Sequence, residues 1–160
     1  MLYFALKYLH VVGAAVLLGT GAGIAFFMLV AHLTGKAQHI AAVARIVVIA
    51  DFVFTATAVI AQPVTGVTLA WHVGYSLLEG WLLLSILLYV VTGAFWLPVV
   101  WIQMQLRDLA AAASTAETPL PPRYYRLFWT WFWFGFPAFA AVLSILWLMI
   151  VKPSIGFWDA

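Results

Sequence analysis

Lys7 and His10 stand three residues apart near the start of the apolar stretch "LKYLHVVGAAVLLGTGAG". A helix over this stretch places both side chains on one face. Ionisable side chains are expensive inside an apolar helix, so they mark candidate binding sites. A neutral imidazole is a good ligand for haem iron, and a lysine ammonium pairs well with an anionic group such as a haem propionate. The alternative interpretation is that Lys7 extends to the lipid headgroups as an anchor.

His72, at the end of the second apolar stretch, is the second candidate ligand. Two antiparallel helices would bring His10 and His72 to similar depth, and a helical bundle provides an apolar slot for a porphyrin. We therefore predict haem b as the cofactor, with His10 and His72 on the iron and Lys7 near a propionate. The competing interpretation makes both histidines interfacial residues among neighbouring aromatic side chains.

Small residues follow His10 on the same stretch, among them Gly13, Ala14 and Gly21. Small residues allow a second helix or a flat ligand to approach the backbone closely. We expect them to leave space beside the imidazole. The other two histidines, His32 and His39, flank a short polar turn and are expected to be solvated loop residues.

The composition is that of an integral membrane protein. Apolar residues make up 67% of the 160 residues and charged residues only 8%, which is too little polar surface for a soluble domain of this size. The net charge of +2 needs no nucleic-acid partner. The absence of cysteine excludes disulfides, zinc thiolates and iron–sulfur clusters held by the protein, so a metal must use nitrogen, oxygen or methionine sulfur.

Four apolar segments, at about residues 2–31, 41–72, 79–106 and 125–151, are each long enough to span a bilayer. They predict an all-α, antiparallel four-helix bundle that forms a single domain over residues 1–160. Basic residues concentrate in the first and third connections, which indicates that these face the cytoplasm and that both termini lie on the outer, periplasmic side. These basic residues are Lys36, Arg45, Arg107, Arg123 and Arg126.

Polar residues form a stripe on each of the two central segments. The stripes consist of Asp51, Thr55, Gln62, Thr65 and His72 on the second segment and of Ser85, Tyr89, Thr92, Trp96, Gln103 and Arg107 on the third. Lipid cannot satisfy such groups, so both stripes are expected to face the bundle interior, where hydrogen bonds between helices are the leading interpretation. For Asp51 we expect an ion pair with Arg107 or Arg45.

The fourth segment opens with "RLFWTWFWFGFP", which is typical of an aromatic belt at the membrane interface. A quinone or a porphyrin could also stack on such rings. The chain contains no nucleophile–base pair, phosphate loop or carboxylate cluster, which argues against hydrolytic chemistry.

Four blocks, "LKYLHVVGAAVLLGTGAGIAFFM", "RIVVIADFVFTATAVIAQPVTG", "WLPVVWIQMQLRDL" and "LPPRYYRLFWTWF", resemble the bacterial membrane family called domain of unknown function 2269 over nearly the whole chain. This resemblance implies a multi-pass protein of the bacterial inner membrane. The first segment is also similar to the first helix of the four-helix, haem-b protoporphyrinogen oxidase, which is related to copper-resistance membrane proteins. That similarity implies a ligand or catalytic role for His10. The third segment departs from the oxidase, with Leu83 and Ser85 where a histidine and a basic residue are expected.

Two hypotheses follow. The protein is a small haem-b membrane redox protein, and if it is an enzyme, an oxidoreductase. Alternatively, it is a non-catalytic membrane subunit or scaffold without a cofactor, in a homo-oligomer or a larger membrane complex. A transporter or channel is less favoured, because no segment shows the paired glycine and proline break that transporters place near midspan.

Overall fold

Helices make up most of residues 1–156, the part of the chain that the computed structural model describes. The elements are α1 (Leu2–Leu33), α2 (Ala37–Ala50), a π-helical turn (Asp51–Thr55), α3 (Ala56–Val73), α4 (Gly80–Thr115) and α5 (Pro122–Val151). The π-helical turn joins α2 and α3 into one continuous span, Ala37–Val73. Four spans are thus apolar and long enough to cross a membrane, and residues 1–156 contain no strand. The all-α, four-span prediction is confirmed.

The helices are longer than the predicted apolar segments, and α4 continues through the alanine run to Thr115. Alanine is the best helix former, so this run extends the helix beyond its apolar segment. Glycines at positive φ follow the first two spans, Gly35 at φ +65° and Gly74 at φ +86°. Left-handed backbone of this kind ends helices, and glycine adopts it without strain.

The largest hydrophobic core lies at the end of the bundle that holds the connections 34–36 and 116–121, which we call the loop side. All four spans contribute to it, with Met28 from α1, Ile40 from α2, Leu106 from α4 and Phe128 from α5 each fully buried. The end that holds residue 1, the connection 74–79 and residues 152–156 is the termini side. Its smaller cluster joins Ala70, Trp81, Leu82 and Leu148. Close packing therefore fixes the bundle mainly at the loop side.

The spans pair differently at the two ends. On the loop side α2 packs against α1 and α4, whereas on the termini side α3 packs along α1 and α4 packs along α5. A hydrogen bond from the Tyr89 hydroxyl to the carbonyl oxygen of Val59 links α3 to α4. The bundle is thus divided, towards the termini side, into an α1–α3 pair and an α4–α5 pair. His10 lies in the contact between α1 and α3, here called the α1–α3 seam.

Candidate ligand site in the α1–α3 seam

The imidazole of His10 is half-buried against α3. Its Nδ1 atom lies 2.9 Å from the Thr65 hydroxyl oxygen. A Cβ atom built on Gly66 would lie only 3.0 Å from the His10 Cε1 atom, so the ring packs directly over the α3 backbone. The missing side chain at Gly66 is what allows α3 to approach the imidazole this closely.

The hydrogen bonds of Thr65 determine which ring nitrogen of His10 carries the proton. A threonine hydroxyl has one hydrogen, and that of Thr65 donates to the Ala61 carbonyl oxygen at 2.7 Å, with a longer contact of 3.2 Å to that of Gln62. The hydroxyl must therefore accept the bond that it shares with His10, and Nδ1 must be the donor. Neutral His10 then keeps a lone pair on Nε2, which has no hydrogen-bond partner among the residues that the structure describes.

Gln62 fills part of the space that we expected beside His10. Its Nε2 atom donates to the His10 carbonyl oxygen at 2.8 Å, across the seam. The Gln62 amide lies where a side chain at Gly13 would be, since a Cβ atom there would collide with it. Of the two occupants expected beside the small residues, a second helix or a flat ligand, it is a side chain of the second helix that lies at Gly13, because a polar group in a membrane span takes an available backbone acceptor. Gly21, by contrast, has no neighbouring atom within 4 Å of such a Cβ.

His72 does not reach His10. Its ring is exposed and stacks on Tyr3, with ring centroids 6.2 Å apart and planes at 18°. Tyr3 precedes His10 by two helical turns, or about 10 Å along α1. The antiparallel register sets Thr65, not His72, opposite His10, so the expected equal depth is not observed. Whether either histidine binds a metal stays a prediction.

This geometry allows a test of the predicted haem site. Metal–nitrogen bonds of about 2 Å place two ligands of one ion no more than about 4 Å apart. His10 and His72 do not fit one iron, but the Nε2 lone pair of His10 could supply one ligand on its own. Lys7, one turn nearer the termini side, is exposed, with its ammonium 5.7 Å from the centre of the Tyr3 ring. Within residues 1–156, no three histidine, aspartate or glutamate side chains cluster as metal ligands.

Asp51, on the π-helical turn, is only 3% exposed and makes no ion pair with any residue that the structure describes. Its Oδ1 atom accepts from the Trp96 indole at 3.3 Å. The Gln103 amide is oriented so that its nitrogen and its oxygen both have hydrogen-bond partners. Its Nε2 donates to Asp51 Oδ2 at 2.7 Å, and its Oε1 accepts from the Trp131 indole at 3.3 Å. Trp96 and Gln103 of α4 thus donate N–H bonds to the carboxyl group, and Trp131 of α5 holds the Gln103 amide in place.

The expected ion pair of Asp51 with Arg107 or Arg45 is wrong. Arg107 bonds instead to its neighbour Asp108, with 2.8 Å between Nε and Oδ1, near the surface, and Arg45 is exposed. Pairing at depth would take a guanidinium out of water, and this desolvation offsets most of the attraction to a buried carboxylate. An exposed carboxylate next in sequence satisfies Arg107 without that cost.

His32 is also placed differently from our expectation. It stacks on Phe128 with centroids 3.6 Å apart and planes at 7°, and its Nδ1 lies 3.3 Å from the Tyr124 hydroxyl. It is therefore an aromatic packing residue between α1 and α5, not a solvated loop residue. His39 is exposed, as expected. In the sequence, the spacing of Tyr124 and Phe128 by one helical turn indicated a partner for His32, since it gives α5 an aromatic face.

The family model for predicted integral membrane proteins of the type DUF2269 matches residues 4–153. The chain belongs to this family. Its description gives membrane insertion and no activity. Comparisons with curated proteins and with solved structures found no match.

The DUF2269 match covers both polar sites, the α1–α3 seam with Lys7 and His10 and the Asp51 site, as well as His72. Both sites therefore lie within the region that defines the family.

Proposed function

We propose that this protein binds haem b in the bacterial inner membrane through His10 and serves in membrane redox chemistry. The observation that carries the proposal is the His10 Nε2 atom, an unprotonated ring nitrogen without a protein partner, half-buried inside a span. Metal-binding histidines commonly donate their other ring N–H to a protein acceptor, which fixes the ring and raises the basicity of the ligand nitrogen. Thr65 supports His10 in this way.

The remaining seam residues would orient the ligand. Gly66 lets the imidazole pack against α3, and the Gln62 amide ties α3 to the His10 backbone carbonyl, so ring position and helix position are coupled. Lys7 would present its ammonium to a propionate near the termini side. Bound haem would supply one-electron chemistry. His72 is too distant to share the iron in this arrangement, and the proposal assigns no second axial ligand.

A second candidate function is that of a non-catalytic membrane subunit or scaffold. It is favoured by the hydrogen bonds that the side chains of the polar stripes form between spans. Gln62, Thr65, Tyr89, Trp96 and Gln103 all form hydrogen bonds to another span. The hydroxyls of Ser85 and Thr92 instead donate to backbone carbonyl oxygens one turn earlier in α4. Such bonds stabilise a bundle without needing a ligand.

The absorption spectrum of the purified protein, produced with ample haem supply, distinguishes the two candidates. Haem binding predicts a reducible Soret band in the wild type, its loss in His10→Ala, and its retention in His39→Ala, the matched exposed control. Thr65→Val removes the acceptor that orients His10 and should weaken haem affinity about 10- to 100-fold. A colourless, folded wild-type protein would refute haem binding and favour the subunit.

A further inference from the structure

The Asp51 carboxyl group is buried within a membrane span, and no cation among residues 1–156 pairs with it. Asp51 is the fifteenth residue of the span Ala37–Val73, about 21 Å along the helix from Ala37. The one ion pair among residues 1–156 is that of Arg107 with Asp108. An ionisable side chain at such depth is costly and is rarely retained without a function.

The immediate partners of the Asp51 carboxyl group are N–H donors. The indole of Trp96 donates to one oxygen and the amide of Gln103 donates to the other. Such donors stabilise a carboxylate, but they repel a metal ion. Hard cations such as Mg²⁺ and Ca²⁺ require about six or more oxygen ligands, and Gln103 commits its own oxygen to Trp131. The arrangement therefore suits a carboxylate that exchanges a proton better than one that binds a metal ion.

Thr55 provides an independent observation at the same site. Its hydroxyl oxygen is buried, the residue is 7% exposed, and the hydroxyl has no hydrogen-bond partner among the residues that the structure describes. Thr55 is the last residue of the π-helical turn that Asp51 begins, so both side chains stand on one turn. Buried hydroxyls are nearly always paired, and an unpaired one beside a carboxyl group is free to accept a hydrogen bond. π-helical turns within α-helices are frequent at functional sites.

We propose that Asp51 is a reversible proton-binding site within the membrane span. In the ionised form, the carboxylate accepts N–H bonds from Trp96 and Gln103. In the neutral form, one oxygen has taken a proton from water and donates it in a hydrogen bond to the Thr55 hydroxyl oxygen. The exchange changes the local charge by one unit and involves no electron transfer, so it is independent of haem binding.

No other titratable or charged side chain among the described residues forms a hydrogen bond or ion pair with Asp51. The elements that pack around Asp51 carry further such side chains. His10, His32, Tyr89, Arg107 and Tyr124 each have a different hydrogen-bond partner, Tyr3 stacks on His72, and the rest, which include Lys7 and Arg45, are exposed. A titration in this part of the span is therefore assigned to Asp51.

Infrared difference spectroscopy in lipid nanodiscs tests the proposal through the C=O stretch of the protonated carboxyl group. As the pH is raised from about 5 to about 10, the wild type should lose one buried carboxyl band. Asp51→Asn should remove this band, whereas Asp108→Asn, the matched exposed control, should keep it. A folded wild type without a pH-dependent buried band in this range would overturn the proposal.

Two further variants keep the test decisive if Asp51→Asn does not fold. Trp96→Phe removes a donor to the ionised form, so the titration midpoint should rise by about one to two pH units. Thr55→Val removes a hydroxyl that can donate to the carboxylate or accept from the neutral carboxyl group, so the midpoint should change. An unchanged midpoint in both variants, or a fall in Trp96→Phe, would contradict the proposed roles. A midpoint that differs between sodium chloride and choline chloride would identify a sodium site and overturn proton binding.

Discussion

The Tyr89 hydroxyl of α4 donates a hydrogen bond to the carbonyl oxygen of Val59 in α3. Val59 is the residue four positions before Pro63, and its carbonyl loses its helical donor because proline has no N–H. A free carbonyl in a membrane span is costly, so a hydroxyl from the neighbouring span satisfies it. The bond also ties α3 to α4 where the two span pairs otherwise separate.

Tyr89→Phe should therefore lower the free energy of unfolding by about 1–2 kcal/mol, the cost of leaving a buried carbonyl unpaired. The loss should shrink in a Pro63→Ala background, because alanine restores the helical N–H. Reversible unfolding in mixed micelles measures both values. Tyr125→Phe is the matched control, since Tyr125 is exposed and its hydroxyl forms no hydrogen bond within the described part of the chain. Equal losses with and without Pro63 would contradict this role of Tyr89.

The glycines of the first span should respond differently to an added methyl group. Gly13→Ala drives a Cβ atom into the Gln62 amide, which has to leave the His10 carbonyl oxygen, at a cost of about 1 kcal/mol or more. Gly19→Ala meets no atom within 4 Å and should be neutral or slightly stabilising, since alanine favours helix. Unfolding of the two variants side by side provides the comparison. Equal stability would refute the packing described for the seam.

His32 should matter for stability and His39 should not. Removing the His32 ring by alanine substitution takes away its stacking on Phe128 and its contact with the Tyr124 hydroxyl, and should cost about 1–2 kcal/mol. His39→Ala removes an exposed side chain and should change stability by less than about 0.5 kcal/mol. Thermal unfolding of both variants in one detergent makes the comparison. A neutral His32→Ala variant would mean that the ring contributes no packing energy.

The bias of basic residues predicts that the loop side faces the cytoplasm. The natural sequence contains no cysteine, so single cysteines at the exposed positions Ser76 and Thr118 can be labelled without background. In intact cells, a thiol reagent that cannot cross the membrane should label Ser76→Cys and not Thr118→Cys. Disruption of the membrane should make both react. The reverse pattern in intact cells would place the termini in the cytoplasm.

The spans and the polar stripes follow from the sequence, because apolar length and the 100° helical period depend only on local composition. The membrane solvent then dictates that Gln62, Thr65 and Trp96 find partners on other spans, as predicted. Periodicity alone also placed Asp51 correctly in the bundle interior. Predicting these features does not require knowing how far one span is shifted along another.

The pairing of residues across spans depends on that shift, which the sequence did not reveal. A shift of two turns separates His10 from His72 and pairs it with Thr65. The π-helical turn at Asp51 adds a residue to one turn and changes which residues face α4, with no marker such as proline or glycine in "DFVFT". His32 was misplaced because the same aromatic residues suit both a membrane belt and a packed core.

Chemical rescue of His10→Gly tests most directly whether His10 Nε2 is the haem ligand. The glycine variant should be purified without a Soret band, and adding imidazole together with haemin should restore the band, because free imidazole occupies the space of the lost ring. His72→Gly should keep haem without rescue. A His10→Gly protein that binds haem as the wild type does, with no response to imidazole, would contradict the assignment of His10 as the ligand.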